Sequence, residues 1–405
     1  MESPLDRKEV RETLDRAIDF AKKIGIENHD PYDVKGSRIG MWSYGGKSPL
    51  RFVVRKGLNA LELLFPLALR QAMRIPKIAS HGGVARMAQA YTAYGRLTSN
   101  DQYQGKAAEL LAWLRENHAH AEVGKAWGLP FDWQMFVRVP ANSPIGHTTM
   151  GVGNALLDFL KVKKEEWMEQ DLVAACEFLA NGLMQTTRES GSVVLSYTPL
   201  DNSEVMNTNA EIAALLANVG RKYERPEFVA LSEKVTRFVI ETQNEDGSWN
   251  YSAPVSGVRK PDIDHYHTGM ILAALMSLAD NLDGEVRSEV VSALGRGTEF
   301  HLRKHFDDLG RPKMRPDSLY PICSYSAGES ILTLQEAKES PHLSSGLRER
   351  AQARQEALIR FVVRNMMYRD GCFYYRAWKV KKMRVESLRW AQALICHGLA
   401  EYLAE

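Results

Sequence analysis

Two kinds of apolar segment alternate along the chain. Six segments are rich in small residues and apolar over most of a helical circumference, and each opens on a polar or small residue. They are His81-GGVARMAQAYTAYGRL, His147-TTMGVGNALLDFL, Asn207-TNAEIAALLANVG, His267-TGMILAALMSLADNL, Tyr325-SAGESILTLQEA and Ser387-LRWAQALICHGLAEYL. A helix that is apolar nearly all round is a buried one. Between them lie longer, plainly amphipathic segments, over about 56–73, 101–117, 165–187, 226–243, 285–304 and 345–365. In Glu227-FVALSEKVTRFVIETQ the apolar residues recur at i, i+3, i+4 and i+7, the pattern of a helix with one face on a core and one in water.

The buried segments start about sixty residues apart, the length of a two-helix repeat with a long loop. Six outer and six inner helices in alternation predict an all-α fold, an (α/α)6 toroid in which closure leaves no unsatisfied repeat end. The inner-to-outer connections are short (RLTSNDQ, KVKKEE, GRKYERPE, DNLDGEV) and the outer-to-inner ones long, which gathers the unusual sequence on one rim. The expected division is an N-terminal helix and cover segment over 1–55, followed by the toroid over 56–405.

Composition narrows the setting. The 405 residues are 44% hydrophobic and 25% charged, ordinary for a globular core, and a formal charge of +2 gives no global pull toward nucleic acid. Four scattered cysteines form no CxxC pair, the N-terminus has no apolar signal-peptide core, and no apolar run reaches the length of a transmembrane segment. The expected compartment is the cytoplasm, and no cofactor or metal is implied.

The long loops carry the candidate chemistry. They start at Gly124, Gly191, Gly247, Gly310 and Gly371, and most then offer Trp or Tyr followed by charged residues. Aromatic faces beside fixed polar groups suit a sugar ring, whose apolar face stacks while its hydroxyls bond directionally. The expected substrate-binding residues are Trp127, Asp132, Trp133, Tyr197, Asn207, Trp249, Tyr251, Arg315, Arg376, Trp378 and Arg389. Lys313, Lys379, Lys381, Lys382 and Arg384 extend a basic rim suited to an anionic group. The densest cluster is Lys260-PDIDHYHTG, where Asp264, His265, Tyr266 and His267 crowd a helix N-terminus. With His147 and Tyr325, which open two other inner helices, these are the candidate catalytic residues for acid–base work. Asp264 as a plain N-cap is the structural alternative. Further carboxylates on the rim are Asp132, Asp201, Glu204, Asp317, Glu329 and Glu386.

Two resemblances attach to these residues. Gln243-NEDGSWNYS resembles the QxxDGSW element of prenyltransferase and squalene-cyclase toroids, and DHYHTGMILAAL resembles the prenyltransferase segment in which a His before Thr binds zinc, here His267. That family's upstream Asp and Cys ligands have no match; Asp370-Gly371-Cys372 has the spacing but follows His267. WGLPFDWQ, SYTPLDNSEVMNTNA, DGSWNYS with HYHTG, and DGCFYYRAWK with RWAQA resemble bacterial toroids of surface-polysaccharide assembly, similar to the helical domains of glucuronyl C5-epimerases and uronate lyases. This resemblance implies an enzyme on an acidic polysaccharide or oligosaccharide, free or lipid-linked, working by epimerisation, β-elimination or hydrolysis. The alternatives are an isoprenoid cyclase or prenyltransferase and a non-catalytic glycan-binding ring. If the site is correctly assigned, His265 and Tyr266 point into the ring opening.

Overall fold

The computed structural model describes residues 5–135, 137–252 and 262–404; part of the loop after Gly247, Lys260 included, lies outside them. The helices in chain order are α1 (Arg7–Ile24), α2 (Asp33–Gly36), α3 (Arg38–Tyr44), α4 (Pro49–Leu64), α5 (Pro66–Ala72), α6 (His81–Thr98), α7 (Asp101–Glu116) and α8 (Gly146–Leu160). They continue with α9 (Glu166–Asn181), α10 (Met206–Lys222), α11 (Pro226–Glu241), α12 (His265–Asn281), α13 (Gly284–Lys304), α14 (Ser324–Glu339), α15 (Ser345–Asn365) and α16 (Ala393–Ala404). A π-helical turn, Leu388–Gln392, leads into α16. Among the described residues, strands of two or three residues form three pairs and one three-stranded sheet.

Helices α6, α8, α10, α12, α14 and α16 each pack on the next, and α16 packs back on α6, closing an inner ring. Around it α7, α9, α11, α13 and α15 each pack on the inner helix that precedes them in the chain. The fold is the all-α toroid, and one continuous apolar core fills the space between the two rings.

The sixth outer place corrects the sequence reading. Residues 56–73, expected as the first outer helix, fall in α4 and α5, which pack on α3 and each other. The place belongs to α1, which packs on α16 and α15. Both segments are amphipathic, so periodicity did not separate them; the loop glycines do. Gly124, Gly247, Gly310 and Gly371 have positive φ, and a Cβ there would strike the next outer helix, at Ala174, Arg296, Ala357 and Arg16 respectively. Arg16 lies in α1, so α1 follows α15 around the ring as α9 follows α7.

The segment between α1 and α6 is a cover pinned by buried charge. Arg70 Nε donates to Asp33 at 3.1 Å, and its Nη2 donates to Glu62 at 2.9 Å and to the Asp30 carbonyl at 3.1 Å. Such a buried cation stays only where carboxylates and carbonyls replace its water. Arg389 of the π turn grips the Asp30 carboxylate at 2.7 and 2.9 Å and ties the cover to the ring. This anchoring delivers Tyr32 to the ring opening.

Candidate active site

The ring encloses a cavity of about 860 Å³ that runs from the rim of inner-helix starts down to Asp158, Lys161 and Glu336 near the inner-helix ends. Its wall carries a run of rings in tilted and edge-to-face contact. Trp133 lies 4.6 Å from Tyr32, Tyr32 5.0 Å from Trp390, Trp390 5.1 Å from Tyr325 and Tyr325 5.2 Å from Tyr266, centroid to centroid. His267 continues it, 5.2 Å from Tyr266 and 4.5 Å from Tyr251. The rings come from the cover, two loops, two inner helices and the π turn, so only ring closure assembles them.

Fixed polar groups punctuate this arc. Asp264 caps α12 by accepting from the His267 backbone N–H at 3.0 Å, and its other oxygen lies 2.6 Å from His267 Nδ1. Burial opposes a charge on His267, but Asp264, with Glu211 and Asp262 behind it, outweighs burial and lifts the imidazole above its ordinary pKa. Burial likewise works upward on Asp264, and His267 overcomes it, holding the carboxyl below its usual range. A second pair lies on neighbouring inner helices: His147 Nδ1 is 3.5 Å from Glu211, which also accepts from Asn207 at 3.3 Å.

Two tyrosines each accept from an arginine, Tyr266 from Arg86 at 2.9 Å and Tyr325 from Arg376 at 2.7 Å. Burial raises both phenols more than the arginines lower them, so at neutral pH each keeps a proton to donate. Glu329, on α14, is pushed up to about 7 by burial, with Arg86 opposing and Glu211 reinforcing.

Of the expected catalytic residues, Asp264, Tyr266, His267, His147 and Tyr325 line this cavity, and so do Trp133, Tyr197, Asn207, Tyr251, Arg376 and Arg389. Six residues are corrected. His265 is fully buried between the helix layers, Nδ1 at 2.9 Å from the Lys313 carbonyl and Nε2 at 2.5 Å from Ser330; two positions before His267, it faces away from the cavity. Trp127 and Trp249 are core residues whose indoles donate to the Leu114 and Val239 carbonyls at 2.7 and 2.8 Å. Each follows its loop glycine by two or three residues and folds back under the outer helix. Asp132 accepts from Arg138 at 2.7 Å in a separate shallow pocket beside Trp42. Arg315 is half-exposed and pairs with Asp262 at 2.8 Å, and Trp378 packs behind the wall in a small apolar cluster. Asp201 is spent on its own loop, bonding Thr198 and Ser203, and Glu204 pairs with Arg188.

Arg86, Glu211 and Glu336, together with Tyr32 and Trp390, were not read as site residues. A signal existed for Arg86 and Glu211: they lie five and four residues after His81 and Asn207, as the expected carboxylate Glu329 lies four after Tyr325, inside helices otherwise built of small and apolar residues. A charge on a helix that is buried all round needs a cavity or a partner.

The QxxDGSW-like stretch and the Asp370–Cys372 pair lie outside the cavity. Gln243 donates to the Gly247 and Ala293 carbonyls and Asp246 accepts from Ser248, so the QxxDGSW stretch staples α11 to α13. Cys372 is buried and Asp370 pairs with Arg384, and neither lines the cavity. Among the described residues no three His, Cys, Asp or Glu side chains converge as a metal site.

Fold and cavity together define a closed six-hairpin α/α toroid with a polar, aromatic-walled cleft at its inner-helix starts. No protein-family model and no curated protein sequence matches the chain. Solved structures do. A possible member of the GH105 family from Salmonella enterica serovar Paratyphi A matches with a TM-score of 0.65 at 12% identity, over 100% of this chain and 96% of its own. Glycosyl hydrolase family 88 from Bacteroides vulgatus matches with a TM-score of 0.63 at 9% identity, over 98% and 99%. Cellobiose 2-epimerase from Bacillus thermoamylovorans matches with a TM-score of 0.59 at 13% identity, over 80% and 88%. At such identities the likeness is one of fold.

Proposed function

We propose that this chain is a glycan-active enzyme of surface-polysaccharide biosynthesis or modification, acting on uronate-containing glycan by epimerisation or β-elimination. The observation that carries the reading is the convergence of two histidine–carboxylate pairs, His267–Asp264 and His147–Glu211, on one aromatic-walled cavity with Arg86, Arg376 and Arg389. The names of the structural neighbours, hydrolases and an epimerase of sugars, support the substrate class. Both reactions begin by removing the proton α to a carboxylate, which needs a base and a cation for the developing enolate charge. His147 is the candidate base and an arginine the neutraliser. His267, whose protonated form Asp264 favours, then returns a proton to the opposite face or, in elimination, to the departing oxygen.

Hydrolysis is the second reading. It is favoured by Glu329, whose carboxyl is pushed to about 7 in a cavity it shares with Glu211, as a proton-donating acid and its partner base would be. An isoprenoid reaction fits less well, since a cavity lined by three arginines, a lysine, three histidines and eight carboxylates is not the apolar barrel a hydrocarbon chain needs. The four cysteines are unpaired and buried, which supports a reducing compartment such as the cytoplasm. No described helix is long and apolar enough to cross a membrane.

Incubation with uronate oligosaccharides in deuterated water tests the proposal. Deuterium at C5 in recovered glycan marks epimerisation, and an ultraviolet-absorbing unsaturated uronide marks elimination. New reducing ends carrying oxygen from labelled water move the assignment to hydrolysis. Tight binding without any turnover favours a non-catalytic ring, and failure to bind any uronide defeats the substrate class.

A further inference from the structure

Nine large apolar side chains are exposed on the cover and the loop beside it: Ile39, Trp42, Leu50, Phe52, Val53, Leu61, Leu64 and Phe65 of the cover, and Val380 of the last loop. They are nine of the thirteen that the described residues expose, so the apolar surface is concentrated and not scattered. Leu50 and Val53 are 64% exposed and Val380 is 94% exposed. Helix α4, which carries most of them, packs chiefly on α3 and α5 among the described residues.

The cover is also cationic. Residues 34–77 contain nine Lys and Arg, eight of them outside the core, but one carboxylate, Glu62, and that one is turned inward onto the buried Arg70 at 2.9 Å. Arg51 stands over the Trp42 ring at 5.3 Å, Arg55 and Lys56 over Phe52 at 5.6 and 5.5 Å. The last loop joins the patch: Lys381 Nζ donates to the Leu64 carbonyl at 2.7 Å and stands 6.0 Å over the Phe65 ring, with Val380 beside it. Among the described residues Arg38, Lys47, Arg51, Arg55, Lys56, Lys379 and Lys381 have no carboxylate at ion-pair distance.

We infer that this face docks on an anionic lipid surface, with α4 lying in the interface and the loop at Val380 as a second point of insertion. Apolar side chains interleaved with unpaired cations are what a negatively charged bilayer accepts. A second copy of this chain fits poorly, because a two-fold contact would set these cations against themselves. The patch adjoins the cavity: Lys35 stands over both Tyr32, which lines the cavity, and Tyr44 of α3, at 4.7 and 5.7 Å. Arg376, also in the cavity wall, begins the strand that leads to Val380. Docking would hold the mouth beside the bilayer, whatever reaction occurs inside.

Flotation of the full chain with vesicles tests this. The protein should float with vesicles of phosphatidylcholine and phosphatidylglycerol in equal parts, much less with pure phosphatidylcholine, and less at high salt. Arg51→Glu/Arg55→Glu/Lys56→Glu should weaken binding by about a hundredfold or more, at roughly fivefold per cation. Phe52→Ser/Val53→Ser should weaken it as well; Phe52, Val53 and Lys56 are exposed and Arg51 and Arg55 are half-buried without a carboxylate partner, so both variants should stay folded at the assay temperature, checked by their unfolding curves. Failure to float with anionic vesicles overturns the inference, as does unchanged binding by the charge-reversed variant. So does a dimer in light scattering that Phe52→Ser/Val53→Ser dissolves while vesicle binding is absent.

Discussion

Acidification from pH 7 to pH 5 should destabilise the protein through three histidines buried together behind the cavity wall. His265 stacks on His305, centroids 4.9 Å apart and planes at 12°, and meets His301 edge-on at 4.8 Å. None is more than 1% exposed. Burial pushes His265 down to about 4, and it pushes His301 and His305 well below their ordinary value, with His265 adding charge repulsion to both. A histidine depressed in the folded state leaves stability intact above about pH 6.5, and the stability is lost as pH falls toward the folded value. For His265 alone the loss from pH 7 to 5 is about 2 kcal/mol, levelling off near about 3 kcal/mol below pH 4. Two carboxyls act with the opposite sign. Glu329 and Glu336, pushed by burial up to about 7 and about 8, favour the folded state increasingly as pH falls. The measurement is therefore a difference, between the wild type and His305→Phe, of urea unfolding free energies at pH 7 and 5. The substitution keeps a ring in the stack and removes one buried base. It also strips His301 Nδ1 of its contact to His305 at 3.1 Å, a cost that largely cancels between the two pH values. The variant should lose less on acidification, by up to about 1.4 kcal/mol per pH unit. An equal loss in both proteins would refute the claim that these rings fold neutral.

Three further outcomes are expected. Asp264→Asn keeps an acceptor for the α12 N-cap but removes the charge that lifts His267, so the limb of the kcat/KM profile set by His267 should move to lower pH; an unmoved profile removes His267 from the reaction. Arg86→Met should lower kcat/KM by about a hundredfold or more, while the unfolding temperature changes little; a full-strength enzyme would show that the Arg86–Tyr266 contact is only structural. Trp249→Phe breaks the indole bond to Val239 and should cost about 1–3 kcal/mol in urea unfolding with activity per folded molecule unchanged; lost activity at full stability would restore Trp249 to the site.

Much of the fold was legible because its signals are local. An inner helix must be apolar on every side and an outer helix on one, so the order of the ring can be read from period and circumference alone. The cluster at Asp264 and His267 was legible for the same reason, since N-cap and first-turn residues of one helix meet without help from the rest of the chain. Tertiary structure decided the rest. Residues 7–24 and 49–64 are both amphipathic; packing on α15 and α16 and the contact of Gly371 with Arg16 give the sixth outer place to the first of them and leave the second facing outward. His265 and His267 are two residues apart, yet the ring places one between its walls and the other in its opening. Arg86, Glu211 and Glu329 meet across three inner helices, and Tyr32 reaches them only because Asp30 is held by Arg389, 359 residues away. Sequence alone determines what each helix must bury. Which charges then share one cavity is set by closure of the ring, a long-range event that no local pattern encodes.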